Sequence, residues 1–205
     1  MLELHTISTG KQCPEKLESI AIAVAPQVDW IHIRERNWSS YMAAEIILRL
    51  RESGISQSKL VYNGTPSDEI CEYAGGIHLP EHKMTLLPDI QARCKQLVIG
   101  CSVHSVKAAR EAEALGADRL IFGHVFETES KPGLKPRGLE QLESVCQAVT
   151  VPVIAIGGIK LENVQRVIEC GASGIAVLSG IMGAEKPVQA AISYRNHLEK
   201  RGQLI

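Results

Sequence analysis

The stretch VPVIAIGGIKLENVQRVIECGASGIAVLSGI, residues 151–181, runs twice through one pattern: an apolar run, a glycine turn, then a helix-forming segment. VPVIAIG (151–157) is rich in β-branched residues and meets the Gly157-Gly158 pair. Helical spacing over Lys160 to Cys170 stops at Gly171, a usual helix end. GIAVL (174–178) is the next apolar run, and Ser179-Gly180 closes it. Short, almost wholly apolar runs are what strands covered on both faces require.

The same alternation extends to the start of the chain. Apolar runs recur as LHTIS (4–8), WIHIR (30–34), KLVY (59–62), GIHL (76–79), LVIGC (97–101) and RLIFG (119–123). Between them, helices are predicted over Pro14–Ala25, Ser39–Ser53, Ser105–Leu115, Gly138–Ala148 and Pro187–Lys200. Weaker ones fall at 66–74 and 85–95, the second interrupted by Pro88. Strands alternating with helices predict an α/β fold, a single-domain (β/α)8 TIM barrel over residues 1–205, with roughly 25 residues per unit. A doubly wound open sheet competes with it, but STGKQCP after the first strand has no G-x-G-x-x-G, and the glycine turns come late.

The chain has 205 residues, 45% hydrophobic and 22% charged, which excludes long disorder. Aromatics are 4%, so the core is aliphatic and no stacking platform for single-stranded nucleic acid is expected. Lys and Arg number 22 against 23 Asp and Glu, so no basic excess points to nucleic acid or an anionic membrane. The start, MLELHTISTGK, lacks the features of a secretory leader, and no apolar run approaches the roughly 18 residues of a spanning helix. None of Cys13, Cys71, Cys94, Cys101, Cys146 and Cys170 forms a C-x-x-C pair. They are read as reduced, mostly buried thiols of a cytoplasmic protein, with no metal site. Barrels of this size often pair, which leaves room for a homo-oligomer, but no stripe identifies a pairing face.

In such a barrel the active site lies at the carboxyl ends of the strands. In IHIRER (31–36), Ile31 and Ile33 share the face toward the helices, while His32, Arg34 and Arg36 share the other. Arg34 and Arg36 are candidate partners of an anionic substrate, because guanidinium binds phosphate or carboxylate bidentately. Asn63 and Ser102 fall at the ends of the third and fifth strands. Gly157, Gly158, Ser179 and Gly180 are read as a phosphate cup after strands seven and eight. His124 ends strand six and opens the long loop VFETESKPGLKPRG, where an imidazole can move a proton near neutral pH, or simply hold the loop. Lys131 in that loop can reach a phosphate or stay solvated. Pro80 argues against a helix that would pair His78 and His82 as metal ligands.

IHIRER, LVYNG, GGIHLPE, IGCSVHS, GADRLIFGHVFETESK, VPVIAIGGI and GASGIAVLSGI occur in order over nearly the whole chain. Together they resemble the thiamine phosphate synthase/TenI superfamily. The synthase pattern on strand two resembles Q-L-R-E-K; here its glutamine and lysine positions are His32 and Arg36. Two aspartates that serve magnesium–pyrophosphate in the synthase fall at Gly64 and Lys83, so no metal and no cofactor is expected. A histidine, His124, replaces the first proline of G-P-I-F-P-T-x-T-K.

That combination resembles the TenI branch, the thiazole tautomerases. The resemblance implies a metal-independent isomerase of thiamine biosynthesis. It would aromatise a carboxylated thiazole phosphate, with His124 as the catalytic residue. A thiamine phosphate synthase with an unusual metal site is the alternative. A third reading is a non-catalytic regulatory protein that binds a thiamine-related ligand.

Overall fold

The structure, a computed structural model, describes residues 2–199. Eight parallel strands close into a barrel in chain order: β1 (Glu3–Ile7), β2 (Trp30–Ile33), β3 (Leu60–Asn63), β4 (Gly76–Leu79), β5 (Val98–Val103), β6 (Arg119–Gly123), β7 (Val153–Ile156) and β8 (Gly174–Val177). The β1–β8 pairing, Glu3 opposite Gly174 through Thr6 opposite Val177, closes the ring. This is the (β/α)8 barrel that the alternation predicts.

Around it lie α1 (Pro14–Val24), α2 (Ser40–Glu52), α3 (Asp68–Tyr73), α4 (Leu87–Arg93), α5 (Val106–Ala114), α6 (Gly138–Ala148), α7 (Val164–Glu169), α8 (Ser179–Met182) and α9 (Pro187–Glu199). Serine caps start three of them: the Oγ atoms of Ser39, Ser67 and Ser105 accept from the N–H groups of Met42, Ile70 and Ala108. The expected helix over 160–170 starts as a 3-10 turn, Leu161–Asn163, before α7. Pro88 does not interrupt a helix but sits in the first turn of α4, where its missing N–H has no partner to lose. The predicted end at Lys200 lies outside the described residues.

The expectation of reduced, mostly buried thiols is corrected on both counts: one pair is oxidised, and of the free cysteines only Cys101 is buried while Cys13 is exposed. Cys71 of α3 and Cys94 just past α4 form a disulfide, with Cα atoms 5.5 Å apart. Their 23-residue separation hides the pairing in sequence, because it depends on the fold bringing α3 beside the end of α4. Cys13, Cys101, Cys146 and Cys170 are free.

The main core lies between strands and helices, and it takes Ile31, Ile33, Leu60, Ile77, Leu120 and their neighbours. The barrel's own interior is split. On one side Ile7, Ile121, Ile154 and Ala176 make a small apolar cluster. On the other, the inward positions of β1, β2 and β4 are His5, His32 and His78, all buried. That polar half runs from Glu3 and Arg119, at the amino ends of β1 and β6, to Asn63 at the carboxyl end of β3.

Candidate active site

The backbone after β2 is fixed first. The Arg34 N–H donates to Ser8 Oγ (2.8 Å), and the Gly10 N–H donates to Glu35 Oε1 (3.0 Å). The loops after β1 and β2 are thereby stapled together, with the Arg34 guanidinium half-buried between them and Arg36 exposed. Burial, followed by the charge of Arg36, lowers the pKa of Arg34. Across the mouth, Lys131 is exposed on its outer side. Desolvation by the surrounding protein, followed by the positive charges of Arg137, Arg34 and Arg36, holds its ammonium below the usual lysine range. Among the described residues none of these four cations forms an ion pair with a carboxylate, and the charge of Glu35 only partly offsets the effect on Arg34. Like charges that depress one another's pKa favour a bound anion, most of all one with several charges.

The turn after β7 bends through Gly157 and Gly158, with φ of +97° and +66°. A Cβ at Gly157 would lie 2.2 Å from His124 Cβ, and one at Gly158 would lie 2.3 Å from the Glu127 carbonyl oxygen. Only glycine gives both the left-handed backbone and the close approach of the loop after β6. Ser179 and Gly180 open the short helix α8 beside it.

His124 is 5% exposed and donates from Nε2 to the Leu134 carbonyl oxygen at 3.1 Å, which tethers the imidazole to its own loop. Among the described residues its Nδ1 has no partner. Arg137 closes the same loop, its Nε–H reaching the Gly123 carbonyl at 3.1 Å. Ser102 faces the barrel interior, where its Oγ meets His78 Nε2 at 2.8 Å.

A chain of polar groups that sequence reading did not connect runs through the barrel. Glu3 Oε2 lies 2.8 Å from His5 Nε2, His5 Nδ1 lies 2.9 Å from His32 Nε2, and His32 Nδ1 lies 2.9 Å from the Asn63 amide. Arg119 Nη1 donates to the same Glu3 oxygen at 2.9 Å. The available signal was the shared inward parity of His5, His32 and His78 on three strands. Pairing it needed the barrel register.

The synthase resemblance implies magnesium, and the donor set here does not fit it. Gly64 has no side chain, and Lys83 brings an ammonium that donates to Thr65 Oγ1 at 3.2 Å. The nearby carboxylate, Glu81, is taken by His104 Nδ1 at 2.7 Å. Among the described residues no three His, Cys, Asp or Glu side chains gather as a metal site. A hard divalent ion needs several oxygen donors, which these positions do not supply.

The thiamine monophosphate synthase family model matches residues 4–181, most of the chain. The chain belongs to the thiamine monophosphate synthase family. A thiamine-phosphate synthase of Clostridium acetobutylicum is 32% identical over 187 residues, covering 90% of this chain and 89% of the relative. One from Pyrococcus horikoshii is 34% identical over 200 residues, covering 97% and 96%. Among solved structures, thiamine phosphate pyrophosphorylase from Pyrococcus furiosus superposes with a TM-score of 0.81 at 31% identity, covering 97% of this chain and 96% of that one.

These relatives correct the expectation of a thiazole tautomerase. Curated proteins 32–35% identical over most of the chain are named thiamine-phosphate synthases, which matches the synthase alternative. The isomerase expectation rests on a few exchanged residues, His124 above all. The synthase likeness is spread over the whole barrel. The family is an enzyme family of thiamine biosynthesis, and no described helix is long and apolar enough to cross a membrane.

Proposed function

We propose that this chain, acting as one 205-residue domain, makes thiamine monophosphate by joining a pyrimidine diphosphate to a thiazole phosphate. The thiazole ring nitrogen forms a bond to the exocyclic methylene carbon of the pyrimidine. The methylene C–O bond breaks, and its electron pair leaves with the diphosphate. The observation that carries this reading is the cluster of Arg34, Arg36, Lys131 and Arg137 at the mouth, four cations without carboxylate partners among the described residues. Such a cluster neutralises the negative charge that grows on a departing diphosphate. Gly157, Gly158, Ser179 and Gly180 hold the phosphate of the thiazole beside the loop after β6. Asn63 and Ser102 line the space between, and His124 holds the loop that carries Lys131. Both substrates are multiply charged and do not cross membranes unaided, which supports a cytoplasmic setting, where such phosphates are made and kept.

The test is direct. Purified chain is mixed with the pyrimidine diphosphate and the thiazole phosphate, with and without Mg²⁺, and thiamine phosphate is measured after oxidation to its fluorescent thiochrome. Product is expected in both mixtures. Charge-assisted hydrogen bonds contribute about 1.5–3 kcal/mol each, so Arg34→Ala or Lys131→Met is expected to lower kcat/KM by roughly 10- to 100-fold. Raising the salt concentration weakens capture of the diphosphate in the parent chain. Absence of thiamine phosphate in both mixtures overturns the reading.

A further inference from the structure

We propose that His32, backed by His5 and Glu3, is a positioning residue that fixes which end of the Asn63 amide faces the barrel mouth. Asn63 offers its carbonyl to a ligand N–H while both rings are neutral, and it turns when the relay takes up one proton. The proposal rests on the reading above only for the use of Asn63 at the mouth; the relay itself is a property of the unliganded chain.

Counting protons along the relay gives the reason. Three contacts join four side chains, and each can hold one hydrogen: Glu3 Oε2 to His5 Nε2 at 2.8 Å, His5 Nδ1 to His32 Nε2 at 2.9 Å, and His32 Nδ1 to the Asn63 amide at 2.9 Å. Arg119 Nη1 donates to the same Glu3 oxygen, and that carboxyl sits below its usual range. Burial by itself raises it, but the His5 hydrogen bond and the Arg119 charge outweigh that. An ionised Glu3 only accepts, so the hydrogen of the first contact must sit on His5 Nε2. A neutral His5 then has a bare Nδ1, and the second hydrogen must come from His32 Nε2. A neutral His32 in turn has a bare Nδ1, and the third hydrogen can come only from the amide NH2 of Asn63. The carbonyl is left facing outward.

The structure places Oδ1 toward His32. With Glu3 ionised, that arrangement needs one proton more: His32 Nδ1 donates, and one of the two rings is a cation. The two amide orientations are therefore two protonation states of the relay. Other titratable and charged groups surround it. His78 of β4 meets the His32 ring edge-on at 5.7 Å between centroids. Arg34 follows His32's own strand, Arg119 comes from β6, and Asp29 precedes β2. Burial, and after it the charges of neighbouring histidines, depresses His32 well below the ordinary imidazole value; burial also depresses His5. The neutral relay, carbonyl outward, is thus the form present at pH 7.5.

Ring-nitrogen NMR of the 15N-histidine-labelled full chain reads the tautomers, with assignments from single His→Gln variants. At pH 7.5 both His5 and His32 are expected to be neutral and protonated at Nε2, with Nδ1 bare. In Asn63→Asp, the group facing His32 only accepts. The relay is then expected to hold one extra proton at the same pH, with His32 Nδ1 protonated. A neutral His32 carrying its hydrogen on Nδ1 in the parent chain overturns the proposal, and so does an Asn63→Asp variant with unchanged ring protonation. If that variant does not fold, the parent spectrum alone decides. No substrate is present, so failure here is distinct from failure to make thiamine phosphate.

Discussion

Gly100 shows how much of the site is settled by a single missing side chain. A Cβ there would lie 2.8 Å from His78 Nδ1 and 3.2 Å from Arg119 Cγ. The buried imidazole occupies the space that an alanine methyl would need. Gly100→Ala is therefore expected to lose about 1–3 kcal/mol of stability, read by urea unfolding. His78→Ala in the same chain is expected to restore part of that loss, because it removes the atom the methyl meets. A coupling of about 1 kcal/mol in the double-mutant cycle is the signature, and strict additivity refutes the steric account. In sequence nothing sets Gly100 apart within the apolar run LVIGC. The parity of IHIRER, by contrast, was legible, because period-two alternation is local and places Ile31 and Ile33 against the helices without any knowledge of partners.

Between secondary-structure elements, the loop after β6 carries the most consequence. It is held by His124 Nε2–H to the Leu134 carbonyl, by the Arg137 N–H to the His124 carbonyl at 3.0 Å, and by the Phe126 N–H to the Gly157 carbonyl at 3.0 Å. His124→Ala removes the first tie and leaves the ladder beneath intact. The segment 128–136 is expected to be cut several-fold faster by protease, with the global unfolding midpoint shifted far less. Equal cleavage rates would mean that His124 does not hold the loop. The strands and longer helices could be read from sequence because each carries its own period, and α2 and α5 their serine caps as well. Three features could not. α8, Ser179–Met182, is too short to show a helical period. Pro88 reads as a breaker until the 3-10 turn Glu81–Leu86 is seen to deliver it to a helix start. The Cys71–Cys94 pair depends on packing between helices rather than on spacing.

The molecule as a whole combines an ordinary outer core with an interior half made of imidazoles, and this sets how its stability responds to pH. Distribution along the chain also decided the family. Similarity over residues 4–181 outweighed the exchanges at positions 32, 64, 83 and 124, which one sequence shows without showing their consequence. The same histidines that make the site unusual have a thermodynamic effect whatever the reaction. Burial is the first cause that lowers His5, His32 and His78, and it brings His78 down to about 3. In the unfolded chain these rings titrate near 6.5. Below that value the unfolded state binds protons that the folded state refuses, so stability is complete above about pH 6.5 and falls as the pH drops toward 3. Each fully refused proton contributes a slope of about 1.4 kcal/mol per pH unit. Glu3, held below its ordinary 4.5, loses its own contribution only in more acid solution, so the histidines dominate between pH 7 and 5. Urea unfolding across that interval is expected to show stability declining with acidity, and His78→Gln is expected to lower the slope by about one proton. A flat profile in the parent chain, or an unchanged slope in His78→Gln, would mean that the imidazole half of the barrel accepts protons without unfolding.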